Sequence, residues 1–594
     1  MKKTVLAIIA FTLTLALSAQ NAMDGLMFSR NNYEGSARSM AMGNAVTALG
    51  GDLGGITINP AGSAVAPYSQ IAISPGVDIS IRTTQGTSLN NLHPYFQKRM
   101  KNTHTRFNLP NLGFTINWNT YSKSGLKNFT FGFVCNQTQN FSDNTYAKGT
   151  NDKTSFMGSL AENAYLSYFK EGELGNEDSW FGQINRPIRG PLWDYVAAMQ
   201  AQLIAPIDPD PNNDDPDQFI GATEQPIEGM GYNKVLGGTL EQHYGREIFG
   251  SKYDYTFNFG FNFNNSLWLG LNLNINSLDY NSMNYIREIA RDGNFGFDYT
   301  DNQSGEHRHA EFYEGKLINN YRASGIGFST KIGVIWSPIK AIRVGAAIQT
   351  PTWNKINEEW TTDAHSDYNF GHNKAESPLG KYSYKFREPM RVNAGISYIF
   401  GNRGLVSLDY EYTPYNMMKF NSYDAFDDIL DGANQDIKDF TGAGHNLRIG
   451  TEIKIIPELA FRAGYSFMNT GEYGKNDNNR KVALKQFIHE VGFGLGFSSK
   501  GSFFADIACK ASMYPDEYII PYSDYRYKKD SISGKFVDIE GHVINEPWRA
   551  DNWDKLVPEG FDPNKPERLS DFSTPEIQNI RNNWKVVLTI GFRF

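Results

Sequence analysis

Cysteine is almost missing from this chain of 594 residues: only Cys135 and Cys509 carry thiols, and they stand in separate strand-like runs. That excludes a disulfide framework. Beyond residue 19 there is no apolar run near the roughly 20 residues that a spanning helix needs, and mean hydropathy is −0.47. Charge is modest as well: 20% of residues are charged, and the formal net charge of −8 is spread along the sequence. This pattern gives no support to nucleic-acid binding. Gly-x-Ser-x-Gly, the phosphate-binding loop and HExxH are all absent from the sequence. No enzymatic constellation and no cofactor is implied.

What the chain has instead is aromatic side chains, 14% of the total, in short runs where apolar and polar residues alternate. Low hydropathy with many aromatics suits a transmembrane β-barrel, whose lipid face uses only every second residue. Residues 1–19 have the form of a secretory signal, with Lys2 and Lys3, an apolar run from Val5 to Leu17, then Ser18-Ala19. The expected organisation is a signal peptide over 1–19, an N-terminal hatch over 20–67 and a barrel over 68–594, with large extracellular insertions at 142–253 and 515–583.

Period-2 patterning and turn signals predict fourteen strands, near 69–83, 108–121, 128–141, 254–264, 267–280, 321–336, 341–351, 385–400, 404–416, 444–456, 459–468, 484–499, 502–514 and 584–594. An even count is what a closed single-chain barrel requires. Tight links, such as Asn264-Asn265-Ser266, Gly401-Asn402-Arg403 and Pro457-Glu458, alternate with long ones at 84–107, 142–253, 281–320, 352–384, 417–443, 469–483 and 515–583. Short-long alternation marks an up-and-down barrel with periplasmic turns and extracellular loops.

Facing follows from parity. Trp584, Val586, Leu588, Ile590, Phe592 and Phe594 share one face of the last strand, opposite Lys585, Thr589, Gly591 and Arg593; Tyr255, Phe257, Phe259 and Phe261 likewise oppose Asn258, Gly260 and Asn262. The apolar face should meet lipid. A slip of one residue would carry Arg343, Arg391, Asp409, Glu411, Arg448 and Arg462 into hydrocarbon, at roughly 2–4 kcal/mol for each basic residue near the midplane.

The stretch from Gly35 to Ala64 is rich in glycine and alanine, with too little side-chain volume for a core of its own and too few charges for a solvated linker. It needs walls supplied from elsewhere. Its Ala37-Arg38, Gly43, Ala45, Ala48, Asp52 and Asn59-Pro60-Ala61-Gly62 resemble the hatch segment of the outer-membrane long-chain fatty-acid transporter family, the FadL/TodX type. The stretches GIGFSTKIGVIWSP (325–338), RVGAAIQTP (343–351), LRIGTE (447–452) and FRAGYSF (461–467) are similar to that family's barrel strands. The resemblance implies an all-β, 14-stranded antiparallel barrel in the outer membrane of a Gram-negative cell, with a hatch in its lumen. It also implies uptake of hydrophobic small molecules, such as long-chain fatty acids, through a lateral opening, with no enzymatic step. The partners it implies are outer-membrane lipid, the hydrophobic ligand and the barrel-insertion machinery, whose C-terminal signal Phe594 resembles.

In that family the hatch Asn-Pro-Ala lies near a kink in the third strand. Carried over, this implicates Asn59, Pro60 and Ala61 as a gate, together with the strand Phe129 to Phe141, whose alternation loosens at 136–140. Arg38, the one cation of the Gly35–Ala64 stretch, either binds a ligand carboxylate or anchors the hatch to lumen carboxylates such as Asp409 or Glu411. Arg343, Arg391, Arg448 and Arg462 face the same choice. Sheltering about twelve methylenes is worth roughly 10 kcal/mol, so the conduit is expected to hold an apolar pocket with one or two cations.

Two helices are expected in the 142–253 insertion, one from Ser155 and one from Pro191 carrying Leu192, Tyr195, Val196, Met199 and Leu203 on one face. They either form an apolar capture groove or pack on each other. The Asp208–Asp214 run lacks the glycine and glutamate of a calcium loop, and His307-Arg308-His309 lacks further metal ligands. The other functional classes are a non-transporting barrel that shuttles or anchors surface proteins, and a receptor for haem or another hydrophobe.

Overall fold

The computed structural model describes residues 22–87, 99–152, 155–161, 164, 191–207, 218–226, 234–300, 307–423, 430–475, 480–499, 502–519, 521, 528–529, 536–537, 543–544 and 576–594. The signal-like segment, the Asp208–Asp214 run and most of 515–583 lie outside them.

A 14-stranded antiparallel sheet closes on itself. Its strands are β1 (Gln70–Thr87), β2 (Met100–Asn119), β3 (Leu126–Asn140), β4 (Gly238–Phe263), β5 (Leu267–Gly293), β6 (His307–Ile339), β7 (Ile342–Gln349), β8 (Arg391–Ile399), β9 (Gly404–Pro414), β10 (Ala443–Ile456), β11 (Leu459–Asn469), β12 (Phe487–Ser498), β13 (Phe503–Met513) and β14 (Glu576–Arg593). Each pairs with the next, and β14 returns to β1 with Phe592 opposite Ile71. Every predicted strand has its counterpart. At the short-turn end, Asn264 and Asn265 adopt φ of 54° and 55°, the left-handed conformation that asparagine tolerates better than most residues.

Parity holds through the barrel. Tyr255, Phe257, Phe259, Phe261, Leu269, Leu273, Leu588 and Phe592 are exposed, while Asn258, Asn272, Lys331, Lys585 and Thr589 are buried. An outward apolar belt around an inward polar lining makes this a membrane-spanning barrel. Along β6 the belt runs from Trp336 to Ile326. That is roughly 33 Å of strand, or about 23 Å of height at a 45° tilt, close to a bilayer's hydrocarbon.

Above the belt the sheet continues, which the sequence reading took for loops. Residues 352–384 carry the strands Trp353–Tyr368, Gly371–Glu376 and Gly380–Arg387, and Asp143–Asn151 extends the wall beside β4, itself begun at Gly238. Outside the bilayer both faces of a strand meet water or protein, so apolar alternation fades although the ladder persists. The expected strand 385–400 is broken at Glu388-Pro389-Met390, where proline supplies no amide to the ladder.

One seam in the wall is incomplete. The β2–β3 ladder ends at Asn111 opposite Asn136. Just above it, Pro110 of β2 and Pro75 of β1 sit in a register shift between Ser74 and Gly76. Each strand lacks one amide there, and the register shift between them coincides with the point where β2 parts from β3. Beyond that point the described residues of β2 are joined to β3 and its continuation by side chains: Asn108 donates to Gln137 at 2.9 Å, Arg106 to Ser142 at 3.3 Å and Asn102 to Asn144 at 2.7 Å.

The N-terminal segment lies inside this wall. Helix α1 (Ala22–Ser29) leads through a bend at Tyr33, with φ of 44°, to helix α2 (Ala37–Ala41) and the 3-10 turns Gly54–Thr57 and Pro60–Val65. Inward glycines make room for it in cross-strand rows: Gly260–Gly270–Gly333, Gly345–Gly395 and Gly450–Gly464–Gly492. A methyl group at Gly270 would strike the Pro60 carbonyl and the Ala61 amide, and one at Gly464 would strike Met42 and Gly43. The segment touches the wall through its backbone, which explains its composition.

Candidate functional site

Three features meet in the lumen: charged clamps on the plug segment, an apolar chamber above it that helix α1 fills, and a seam beside it that side chains rather than a backbone ladder close. Arg38 Nε reaches Glu452 Oε2 at 2.9 Å, and the same carboxylate accepts from Arg462 at 2.7 Å, which also pairs with Asp506 at 2.5 Å. The partner of Arg38 is therefore neither of the carboxylates named from sequence. Asp409 instead accepts from the Thr47 amide at 2.7 Å, and Glu411 binds Arg448 at 2.5 Å and Arg391 at 3.6 Å. Side-chain reach from adjacent strands decided this, and strand parity alone could not.

Further clamps come from the wall. Arg343 Nη1 donates to Leu49 O at 2.9 Å, Lys331 Nζ to Thr57 O at 2.6 Å, and Glu34 pairs with Lys585 at 2.8 Å and Lys510 at 3.5 Å. Sequence reading missed Glu34, Lys331, Lys510 and Glu452 as anchors. The signal was there: Lys331, Glu452 and Lys510 fall on the inward parity of their strands.

Asn59-Pro60-Ala61 packs on β4, β5 and β6. Asn59 Nδ2 donates to Thr47 O at 2.7 Å and Val334 O at 3.1 Å, its Oδ1 accepts from the Ala61 amide at 3.1 Å, and Asn258 Nδ2 donates to Pro60 O at 3.0 Å. Asparagine caps the turn that Pro60 begins, as the residue types require. The third strand is met by other plug residues. Asn136 Nδ2 donates to Thr57 Oγ1 at 2.9 Å, and the amides of Asn32 and Glu34 donate to the carbonyls of Thr138 and Gln137 at 2.7 and 2.9 Å. Asn136, Gln137 and Thr138 are buried in succession, so β3 turns its backbone inward at the loosened stretch. The plug covers the seam from within.

Above the plug lies the chamber. Phe141, Tyr280, Tyr384, Phe386, Met418 and Phe420 are all buried there around Leu26 and Phe28 of α1, with Phe28 edge-on to Tyr280 at 5.9 Å. At the C-terminal end of α1 two buried cations take its free carbonyls. Lys252 Nζ donates to Phe28 O at 2.9 Å while pairing with Glu388 at 2.7 Å, and Arg391 donates to Ser29 O. Cations are favoured at a helix C-terminus. Lys252 was missed because the predicted strand began two residues later. At the periplasmic end a separate cavity of about 350 Å³ is lined by Arg38, Asp52, Glu452, Arg462 and Asp506, which suits water rather than an apolar chain.

The mouth is capped. Helical residues 156–161 and helix α3 (Pro191–Gln200) pack with Phe219, Phe312, Leu317 and Tyr368 in one apolar core. Of the two readings open from sequence, the second holds for the described residues. Glu288 of β5 takes the amides of Phe156 and Met157 at 2.6 and 3.0 Å.

No family model and no curated protein matches the chain. Among solved structures, it matches a FadL homologue from Pseudomonas aeruginosa at 9% identity, over 94% of this chain and 98% of that one, with a TM-score of 0.46. The toluene transporters TodX of P. putida (TM-score 0.43) and TbuX of Ralstonia pickettii (TM-score 0.42) match at 12% identity, each over 95% of this chain and 99% of that one.

Proposed function

We propose that the protein is an outer-membrane channel of the FadL/TodX type for small hydrophobic molecules with an acidic head. The segment before β1 acts as its hatch. The observation that carries this reading is the apolar chamber occupied by α1, with Lys252 and Arg391 at its foot. When α1 withdraws, the two cations lose backbone acceptors and can receive a ligand carboxylate, while the aromatic walls receive its chain at about 0.8 kcal/mol per methylene. The β2–β3 seam then offers a lateral exit into the bilayer, controlled by the plug amides on Gln137 and Thr138. Asn59, Pro60 and Ala61 hold the far side of the hatch fixed against β4 to β6. Arg38, Arg343, Arg448, Arg462, Asp409 and Glu411 act as hatch and wall anchors, and Arg391 as the ligand's counter-ion.

The test is to close the seam. In liposomes, oxidised Asn108→Cys/Gln137→Cys protein should take up labelled oleate at least tenfold more slowly than its reduced form. Equal rates in both redox states would remove the lateral route. Equal rates for wild type and protein-free liposomes would remove transport itself.

A further inference from the structure

Four cations stand together on the outer face of the wall where the apolar belt ends. Cross-strand register sets them in two rows. One row reads Phe328, Trp353, Arg387, Lys419, and the next, one step farther from the membrane, reads Ile326, Lys355, Lys385, Asn421. Phe328, Trp353 and Ile326 are among the exposed apolar residues of the belt. Lys355 is thus directly opposite Lys385, and Arg387 directly opposite Lys419. Like charges in that position repel.

Nothing described in the protein neutralises them. No carboxylate among the described residues forms an ion pair with any of the four. Arg387 donates only to Met417 O, at 3.3 Å, and Lys355 and Lys385 lie over the ring of Tyr423 at 5.9 and 4.7 Å. Two outward cations beyond them have carboxylate partners: Lys381 pairs with Glu359 at 3.2 Å and Arg322 with Asp279 at 3.6 Å. At the level where lipid headgroups lie, four uncompensated cations are thus gathered in two adjacent rows.

We infer that Lys355, Lys385, Arg387 and Lys419 form a binding site for the phosphate groups of an outer-leaflet glycolipid, whose acyl chains lie along Trp353, Phe328 and Ile326. Phosphate fits because it carries more than one negative charge and several acceptor oxygens, enough to bridge two rows. The belt beneath supplies the apolar contact that a free ion cannot use. The site faces lipid, not lumen, and so does not depend on transport.

The test is native mass spectrometry of the full chain in detergent, titrated with bis-phosphorylated lipid A, with the same glycolipid after phosphatase treatment, and with inorganic phosphate. Wild type should retain bis-phosphorylated lipid A at least tenfold more tightly than the dephosphorylated form. Lys355→Gln/Lys385→Gln/Arg387→Gln/Lys419→Gln should lose that preference, and Arg322→Gln/Lys381→Gln should keep it. Because the quadruple variant removes repulsion, it should melt no lower than wild type without lipid and gain less on lipid addition. The single Lys385→Gln variant provides a milder step in the same direction. Equal retention by wild type and the quadruple variant, or retention of inorganic phosphate in place of lipid, would overturn the site.

Discussion

At the scale of single residues, the lumen is an inventory of buried charges that must find partners, because an isolated ion there is far costlier than a paired one. Arg38 shows the consequence. Replacing it with alanine leaves Glu452 with Arg462 alone and should weaken hatch docking by about 1.5–3 kcal/mol. Hydrogen exchange in residues 35–66 is expected to rise while the barrel strands stay protected; unchanged protection would make the clamp dispensable. Asp194 of α3 carries a pH dependence. Its carboxylate accepts from Thr362 at 2.8 Å and Asn319 at 3.3 Å, yet burial outweighs both and pushes it up to about 7. The folded cap therefore binds a proton that the unfolded chain releases near pH 3.9. Its stabilising contribution is complete below about pH 4, declines up to pH 7 and is gone above that. Cap residues 193–204 should exchange faster at pH 8 than at pH 5 after correction for intrinsic rates, and Asp194→Asn should abolish the difference.

At the scale of elements, the glycine rows and the seam beside the two prolines matter most. Each of the fourteen membrane-spanning strands was legible in the sequence because lipid imposes apolar residues on one face. The inward glycines could be assigned to the lumen by parity, but their alignment into rows needed the register of eight strands. Gly270→Val should expel Pro60 and Ala61 from the wall, since backbone rather than a flexible side chain occupies the space. A barrel of normal heat-modifiable mobility with a protease-sensitive N-terminus is expected, and a protected N-terminus would show that the plug can shift around the obstacle. The strands above the membrane escaped detection because lipid no longer sorts their residues.

At the scale of the whole molecule, a closed barrel is capped outside, plugged inside and occupied above the plug by its own N-terminal helix. Movement of that helix is the simplest change that frees apolar volume without breaking the wall. Deleting Ala22–Ser29 should increase the affinity of the purified protein for a fluorescent fatty acid at least tenfold, and Arg391→Met in the same background should reverse much of the gain. If the deletion leaves affinity unchanged, the chamber is structural and the ligand binds elsewhere.

The sequence by itself determined the barrel, its strand count, its facing and the N-terminal segment that needs walls, because these follow from a two-residue period and from side-chain volume. Tertiary structure alone decided which charges pair, that Arg38 meets Glu452, that Asn59-Pro60-Ala61 lies on β4 to β6 while Asn32 and Glu34 meet the third strand, and that α1 fills the chamber. Those outcomes depend on which strand neighbours which and at what stagger, distances that local patterning does not encode.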